Sequence, residues 1–199
     1  MKQKLLIALL AACAVSAQAA LKIGDKMPAR DVKLKGEGGK ETTLAELSKG
    51  KRGTLVVITC NNCPWAKDWE RRIVDIGNDW SQKPEFGMSV VAINPNDPTM
   101  SPSDSLDKIV ARAKKEFYKF PYLQDTTQKL SKEFGATKTP ECYLFDAKGV
   151  LVYHGAVDDS RDSKKVQTRY LQSAFNSMRH GEPLKFAETK AVGCGIKYR

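Results

Sequence analysis

The chain has 199 residues, 41% hydrophobic and 28% charged, a balance that excludes collagenous, disordered and membrane-spanning classes and points to one globular domain. Its 33 Lys and Arg against 23 Asp and Glu give a net charge of +10, or +8 without Lys2 and Lys4. The charge is spread over sites such as Lys49, Lys51 and Arg52, Lys114 and Lys115, and Lys164 and Lys165, which reads as a solvated basic surface; no nucleic-acid reader motif is present.

Residues 1–19 read as an export leader. Lys2 and Lys4 form a positive start, residues 5–15 an apolar stretch, and Ala17-Gln18-Ala19 a small-x-small cleavage pattern. The apolar stretch falls short of the ~20 residues that cross a bilayer. A 20–199 domain is therefore expected in the periplasm or outside the cell, cut after Ala19 and without stable membrane insertion. The alternative is a lipoprotein, because Leu10-Ala11-Ala12-Cys13 resembles a lipobox that would anchor the chain at Cys13. Cleavage after Ala19 leaves Cys60, Cys63, Cys142 and Cys194, too few for a disulfide scaffold but an even set able to pair in an oxidising compartment.

From the mature start, residues 36–39 form a glycine-rich turn between two short strands, and Thr43 caps a short helix over 44–48. Residues 54–59 are a β-branched run suited to a strand buried on both faces. Pro64 suits a first helical turn, and Trp65, Trp69, Ile73 and Ile76 follow at helical spacing. A second buried strand covers 88–94 and a loop 95–102. A helix starting at Ser103 or Asp104 then carries Leu106, Ile109, Val110, Ala113 and Phe117. Residues 120–124 are extended, and 127–134 form a short helix ended by Gly135. Strands over 142–145 and 150–153 flank a hairpin turn, and a last helix spans about 164–179 before Gly181 and Pro183. This order predicts an α/β fold with a central mixed β-sheet flanked by helices and an N-terminal β-hairpin extension.

Cys60-Asn61-Asn62-Cys63 lies where the first buried strand hands over to its helix. Two sulfurs three residues apart at a helix start can close a disulfide, while free N–H groups and the helix dipole stabilise a thiolate. The spacing predicts Cys60 as the attacking thiol and Cys63 as the resolver of a mixed disulfide. A zinc site lacks two further ligands, since His154 and His180 are isolated. An inert staple closing so small a ring constrains little chain entropy.

Thr139-Pro140, directly ahead of a buried strand and about 80 residues after the CxxC, resembles the cis-proline loop of the thioredoxin superfamily, which offers backbone groups to substrate. Together with Ile23 to Pro28, Val91 to Asn94, Phe120 to Asp125, Phe134-Gly135 and Phe145-Asp146, it makes residues 21–199 similar to the peroxiredoxin-like (AhpC/TSA) and TlpA-like redoxins of the thioredoxin-like superfamily. The Cys60 to Pro64 and Gly193 to Lys197 segments resemble a bacterial group with a Cys-Asn-x-Cys-Pro site and a Gly-Cys-x-Ile-Lys ending. The resemblance implies thiol-disulfide chemistry with no bound cofactor or metal, and maps nucleophile, resolver and cis-proline onto Cys60, Cys63 and Pro140.

Two departures accompany it. Counted from Cys60, the threonine of the peroxiredoxin Pro-x-x-x-Thr-x-x-Cys signature is replaced by Val57. Thioredoxin's buried carboxylate is replaced by Thr54, which leaves Glu141, beside Pro140, as the candidate for proton transfer to Cys63. Cys142 and Cys194 stay open among a structural bridge, a relay from Cys194 to Cys60 or Cys63, and two free thiols; flanking glycines favour a mobile Cys194 and hence the relay. The leading expectation is an exported thiol-disulfide oxidoreductase acting on protein thiols or disulfides with an unidentified redox partner. The alternatives are a thiol-dependent peroxidase, and a non-enzymatic copper or zinc carrier.

Overall fold

A computed structural model describes residues 20–199; the expected leader, with its cleavage site after Ala19 and the alternative anchor Cys13, lies outside the described residues. A seven-stranded mixed sheet runs in the order β2-β1-β5-β4-β3-β7-β8, built from β1 Leu34–Lys35, β2 Glu41–Thr42, β3 Gly53–Ile58, β4 Met88–Asn94, β5 Tyr122–Gln124, β7 Glu141–Asp146 and β8 Leu151–Gly155. Strands β3, β4 and β5 are parallel, while β7, β8 and β1 run antiparallel to their neighbours. This is the expected thioredoxin-like α/β fold, with β1 and β2 as its N-terminal hairpin.

The two-residue period of a strand explains the layers. Leu55 and Val57 of β3, Val90 and Ala92 of β4, and Cys142 and Leu144 of β7 face one core. Against them pack Trp69, Ile73 and Trp80 of helix α2 (Pro64–Gln82), Ile109 of α3 (Leu106–Lys115) and Phe175 of α5 (Tyr170–His180). The intervening Val56, Ile58, Val91, Ile93, Tyr143 and Phe145 face a second core with Leu44 of α1 (Leu44–Ser48) and Leu130 of α4 (Lys129–Glu133). Helix α2 packs close: a Cβ on Gly77 would lie 2.2 Å from the Phe120 ring. Among the described residues no helix is long and apolar enough to cross a membrane.

Three helices begin later than their sequence pattern predicts. α3 starts at Leu106, after a 3-10 turn over Pro102–Asp104, because Asp104 turns inward and is fully buried. α4 starts at Lys129, after Gln128 in a left-handed conformation (φ 59°). The last helix starts at Tyr170 rather than near 164. Asp162 closes a 3-10 turn over Ser163–Lys165, and the Asp159 carboxylate accepts hydrogen bonds from the Gln167 and Thr168 backbones, holding that stretch out of a helix.

A two-stranded sheet outside the main one pairs β6 (Lys138–Thr139) with β9 (Cys194–Gly195), Thr139 opposite Cys194. It carries the C-terminal segment across the end of β3 and the start of α2.

Candidate active site

Parallel sheets place sites at the carboxyl ends of their strands. β3 ends at Ile58 and β4 at Asn94, and the Cys60-Asn61-Asn62-Cys63 loop leaves from that edge. Cys63 is the N-cap of α2 and Pro64 its first helical residue, so the sulfur takes the place of a capping oxygen: Cys63 Sγ accepts a hydrogen bond from the Ala66 N–H at 3.4 Å. Cys194 of β9 adds a second donor, its N–H lying 3.4 Å from the same sulfur. The Thr139–Pro140 peptide is cis. Thr139 faces both sulfurs, with Oγ1 3.2 Å from Cys60 Sγ and its carbonyl 3.1 Å from Cys63 Sγ, where the neutral Cys63 thiol donates.

The two thiols are driven apart. Hydrogen bonding from the Cys60 thiol holds Cys63 down, aided by Cys194 and the Ala66 N–H and against the opposing effect of burial, from an ordinary 9.0 to about 4. Cys60 is pushed up, first because its proton is committed to Cys63, then by burial and the nearby Asp104 carboxylate. The two shifts run in opposite directions and favour the thiolate at Cys63 over one at Cys60. Cys60 and Cys63 are only 6% and 2% exposed, and Cys194 and Trp65 pack over them.

Cys194 does not owe this position to a mobile tail. A Cβ on Gly193 would sit 2.0 Å from the Thr139 carbonyl oxygen, so glycine is there to let the two backbones touch. The four described cysteines are unbonded to one another. Cys142 faces away from the site in the main core and is fully buried, its thiol pushed above its usual range chiefly by burial, so it is not brought to Cys194.

Glu141 is not exposed: it is 4% accessible and both oxygens are engaged. Oε2 accepts from the Thr137 and Lys138 N–H groups, and Oε1 lies 2.6 Å from His154 Nε2. Burial alone would raise this carboxyl, but His154 and the two N–H groups outweigh it and hold it below the usual range. The carboxylate ties the loop before Pro140 to β8, whose His154 backbone in turn bonds to Ala187 and Thr189.

Sequence reading passed over the polar layer beneath the loop. Asp104, fully buried, accepts from the Asn61 N–H (2.6 Å), Asn94 Nδ2 (2.9 Å), Asn96 Nδ2 (2.8 Å) and Ser101 Oγ (2.5 Å). Asn61 is further held by Tyr122 and by the Ser103 carbonyl. The available signal was Asn94 and Asn96 closing an apolar strand at the sheet edge where sites form. Among the described residues no group of three or more His, Cys, Asp or Glu is placed to hold a metal ion.

The model of the AhpC/TSA family matches residues 23–154. The chain belongs to the AhpC/TSA family. Among solved structures, a hypothetical protein from Sinorhizobium meliloti 1021 is 31% identical, covers 91% of this chain and 97% of its own, and superposes with a TM-score of 0.82. An uncharacterized conserved protein from Geobacillus kaustophilus is also 31% identical, with coverage of 90% and 93% and a TM-score of 0.81. The peroxidoxin BcpB from Mycobacterium tuberculosis shares the fold at 15% identity, with coverage of 80% and 97% and a TM-score of 0.59. No curated protein matches.

AhpC/TSA membership and the site geometry overturn the leading expectation of dithiol exchange within the CxxC, with Cys60 attacking and Cys63 resolving. The Cys63 thiol is the one whose pKa is lowered, and the cysteine brought against it from afar is Cys194. Counted from Cys63, the peroxiredoxin signature places Cys60, not Val57, at the threonine position and Val56 at the proline position. Cys60 still presents a proton-bearing group three residues before the cysteine of lowered pKa. This AhpC/TSA protein has a peroxiredoxin-like pair of sequence-distant cysteines.

Proposed function

We propose that the protein is a thiol-dependent peroxidase in which Cys63 attacks peroxide and Cys194 resolves the product. The observation that carries this reading is the position of the Cys63 sulfur, at the N-cap of α2 with the Ala66 N–H and the backbone N–H of a second cysteine 131 positions away each 3.4 Å from it. AhpC/TSA membership supports it. The Cys63 thiolate attacks the terminal peroxide oxygen; an S–O bond forms, the O–O bond breaks, and the departing alkoxide or hydroxide takes a proton. Cys63 becomes a sulfenic acid, oxidised by two electrons, and the peroxide becomes an alcohol or water. The Cys194 sulfur then attacks Cys63, the S–O bond breaks, and hydroxide leaves as water, giving a Cys63–Cys194 disulfide. A dithiol of an unidentified redox partner supplies the two electrons that reopen it.

In this reading Cys60 holds its proton against Cys63, and Thr139 with Pro140 and the Glu141 carboxylate shapes the facing loop. The leader pattern of residues 1–19 supports action by the 20–199 domain outside the cytoplasm.

Peroxide consumption with a dithiol donor tests the proposal. Cys63→Ser is expected to abolish turnover, and Cys194→Ser to oxidise Cys63 once and then stall as a sulfenic acid. Turnover by Cys63→Ser at the wild-type rate would overturn it.

A further inference from the structure

We infer that Asn96 is a positioning residue for the resolving step, its side-chain amide fixing the strand that carries Cys194 in register with the loop that carries Cys63. The inference rests on the peroxidase reading above and deepens it. Asn96 is buried just beyond the end of β4, and each end of its amide serves a different partner. Nδ2 donates to Asp104 Oδ2 at 2.8 Å, while Oδ1 accepts the Lys197 backbone N–H at 2.8 Å. The other Asp104 oxygen accepts the Asn61 N–H at 2.6 Å. One unbroken chain of hydrogen bonds therefore runs from the active-site loop, through a fully buried carboxylate and one amide, to a backbone group three residues from Cys194.

Neighbouring groups complete the clamp. The Lys197 carbonyl accepts from the Asp97 N–H at 3.1 Å and from Gln128 Nε2 at 2.9 Å, and Gln128 Oε1 accepts the Arg199 N–H at 2.9 Å. The Arg199 guanidinium pairs with Asp97 at 2.8 Å. Ile196 and Lys197 lead straight into β9, and three extended residues span only about 10 Å, so fixing Lys197 confines the Cys194 sulfur. The Asp104 carboxylate does not relax readily, because it is fully buried and accepts four donors from four residues. Cys194 is in this way presented to Cys63 by a rigid polar bridge, although its own strand is two residues long.

The test separates the two half-reactions. Wild type, Asn96→Leu and Lys197→Pro are mixed with hydrogen peroxide; Cys63 sulfenic acid is followed by dimedone capture and the Cys63–Cys194 disulfide by quenched mass analysis. Lys197→Pro removes the same N–H from an exposed tail position and decides the matter should Asn96→Leu not fold. Lys197→Pro is expected to form the sulfenic acid within about twofold of the wild-type rate. Both variants should close the disulfide at least about tenfold more slowly, as a displacement of an ångström at a reacting pair does. Accumulated sulfenic acid should then proceed to the sulfinic acid at lower peroxide. Wild-type disulfide rates in Lys197→Pro, or an equal loss in both half-reactions, would overturn the positioning role while leaving the peroxidase reading in place. Absence of both the Cys63 sulfenic acid and the Cys63–Cys194 disulfide in peroxide-treated wild type would remove both.

Discussion

Ionisation of Cys63 is controlled by groups that can be changed singly. The Cys60 thiol is the largest influence holding Cys63 down, so Cys60→Ala is expected to return the Cys63 midpoint from about 4 towards 9.0, and Cys60→Ser, which keeps a donor, to return it less. Thiolate ultraviolet absorbance, titrated against Cys63→Ser as the blank, reads this directly; identical midpoints in all three proteins would contradict it. Cys142→Ser should leave peroxide turnover untouched but cost about 1–3 kcal/mol of stability, since it puts a hydroxyl without a partner into the main core. The pair Cys60 and Cys63 was legible in the sequence because a CxxC at a strand-to-helix handover is a local pattern. Which sulfur has the lowered pKa was not, because Cys194, 131 positions from Cys63, helps decide it. The Asp104 layer escaped for a similar reason: a single Asp ahead of a helix reads as a cap until its four donors are assembled.

At the level of the elements, the strands and α2 followed from β-branched runs and helical spacing, whereas β6 and β9 have no local signature. Two residues carry no period, and these strands exist because Gly193 lets the Thr139 backbone approach. Gly193→Ala is accordingly expected to detach β9. Proteolytic cleavage after residue 190 should rise and Cys63–Cys194 closure should fall sharply, with the fold of 20–189 intact by circular dichroism. Unchanged closure would show that the contact is dispensable. Helix α2 is fastened on its other side by Asp158, which accepts from Trp69 Nε1 at 2.6 Å and from the Arg72 guanidinium at 2.5 Å while itself almost fully buried. Asp158→Ala leaves that guanidinium without its counter-charge and is expected to cost about 3–5 kcal/mol in urea denaturation. A loss below 1 kcal/mol would mean that the Arg72 bonds to the Ser160 and Arg161 carbonyls are enough.

Across the whole molecule, the lowered pKa of Cys63 is also a source of pH-dependent stability. The folded Cys63 value lies below that of the unfolded thiol, so its contribution is fully present above 9.0 and is lost as pH falls through about 4. Cys60 works oppositely: its raised value gives a contribution present below the unfolded pKa and lost as pH rises above it. Between pH 7 and 4 only the first operates, joined near the acid end by Glu141, whose lowered value gives the same direction. The reduced wild type is therefore expected to lose denaturation midpoint steadily over that window, and Cys63→Ser to lose less; equal slopes would contradict an ionised Cys63. The central claim is tested most directly by mapping the disulfide formed when the fully reduced protein meets one equivalent of hydrogen peroxide. The account predicts a peptide pair joining Cys63 to Cys194, with Cys60 and Cys142 still alkylatable after denaturation. A Cys60–Cys63 crosslink as the first and dominant product, or peroxide left unconsumed, would contradict it.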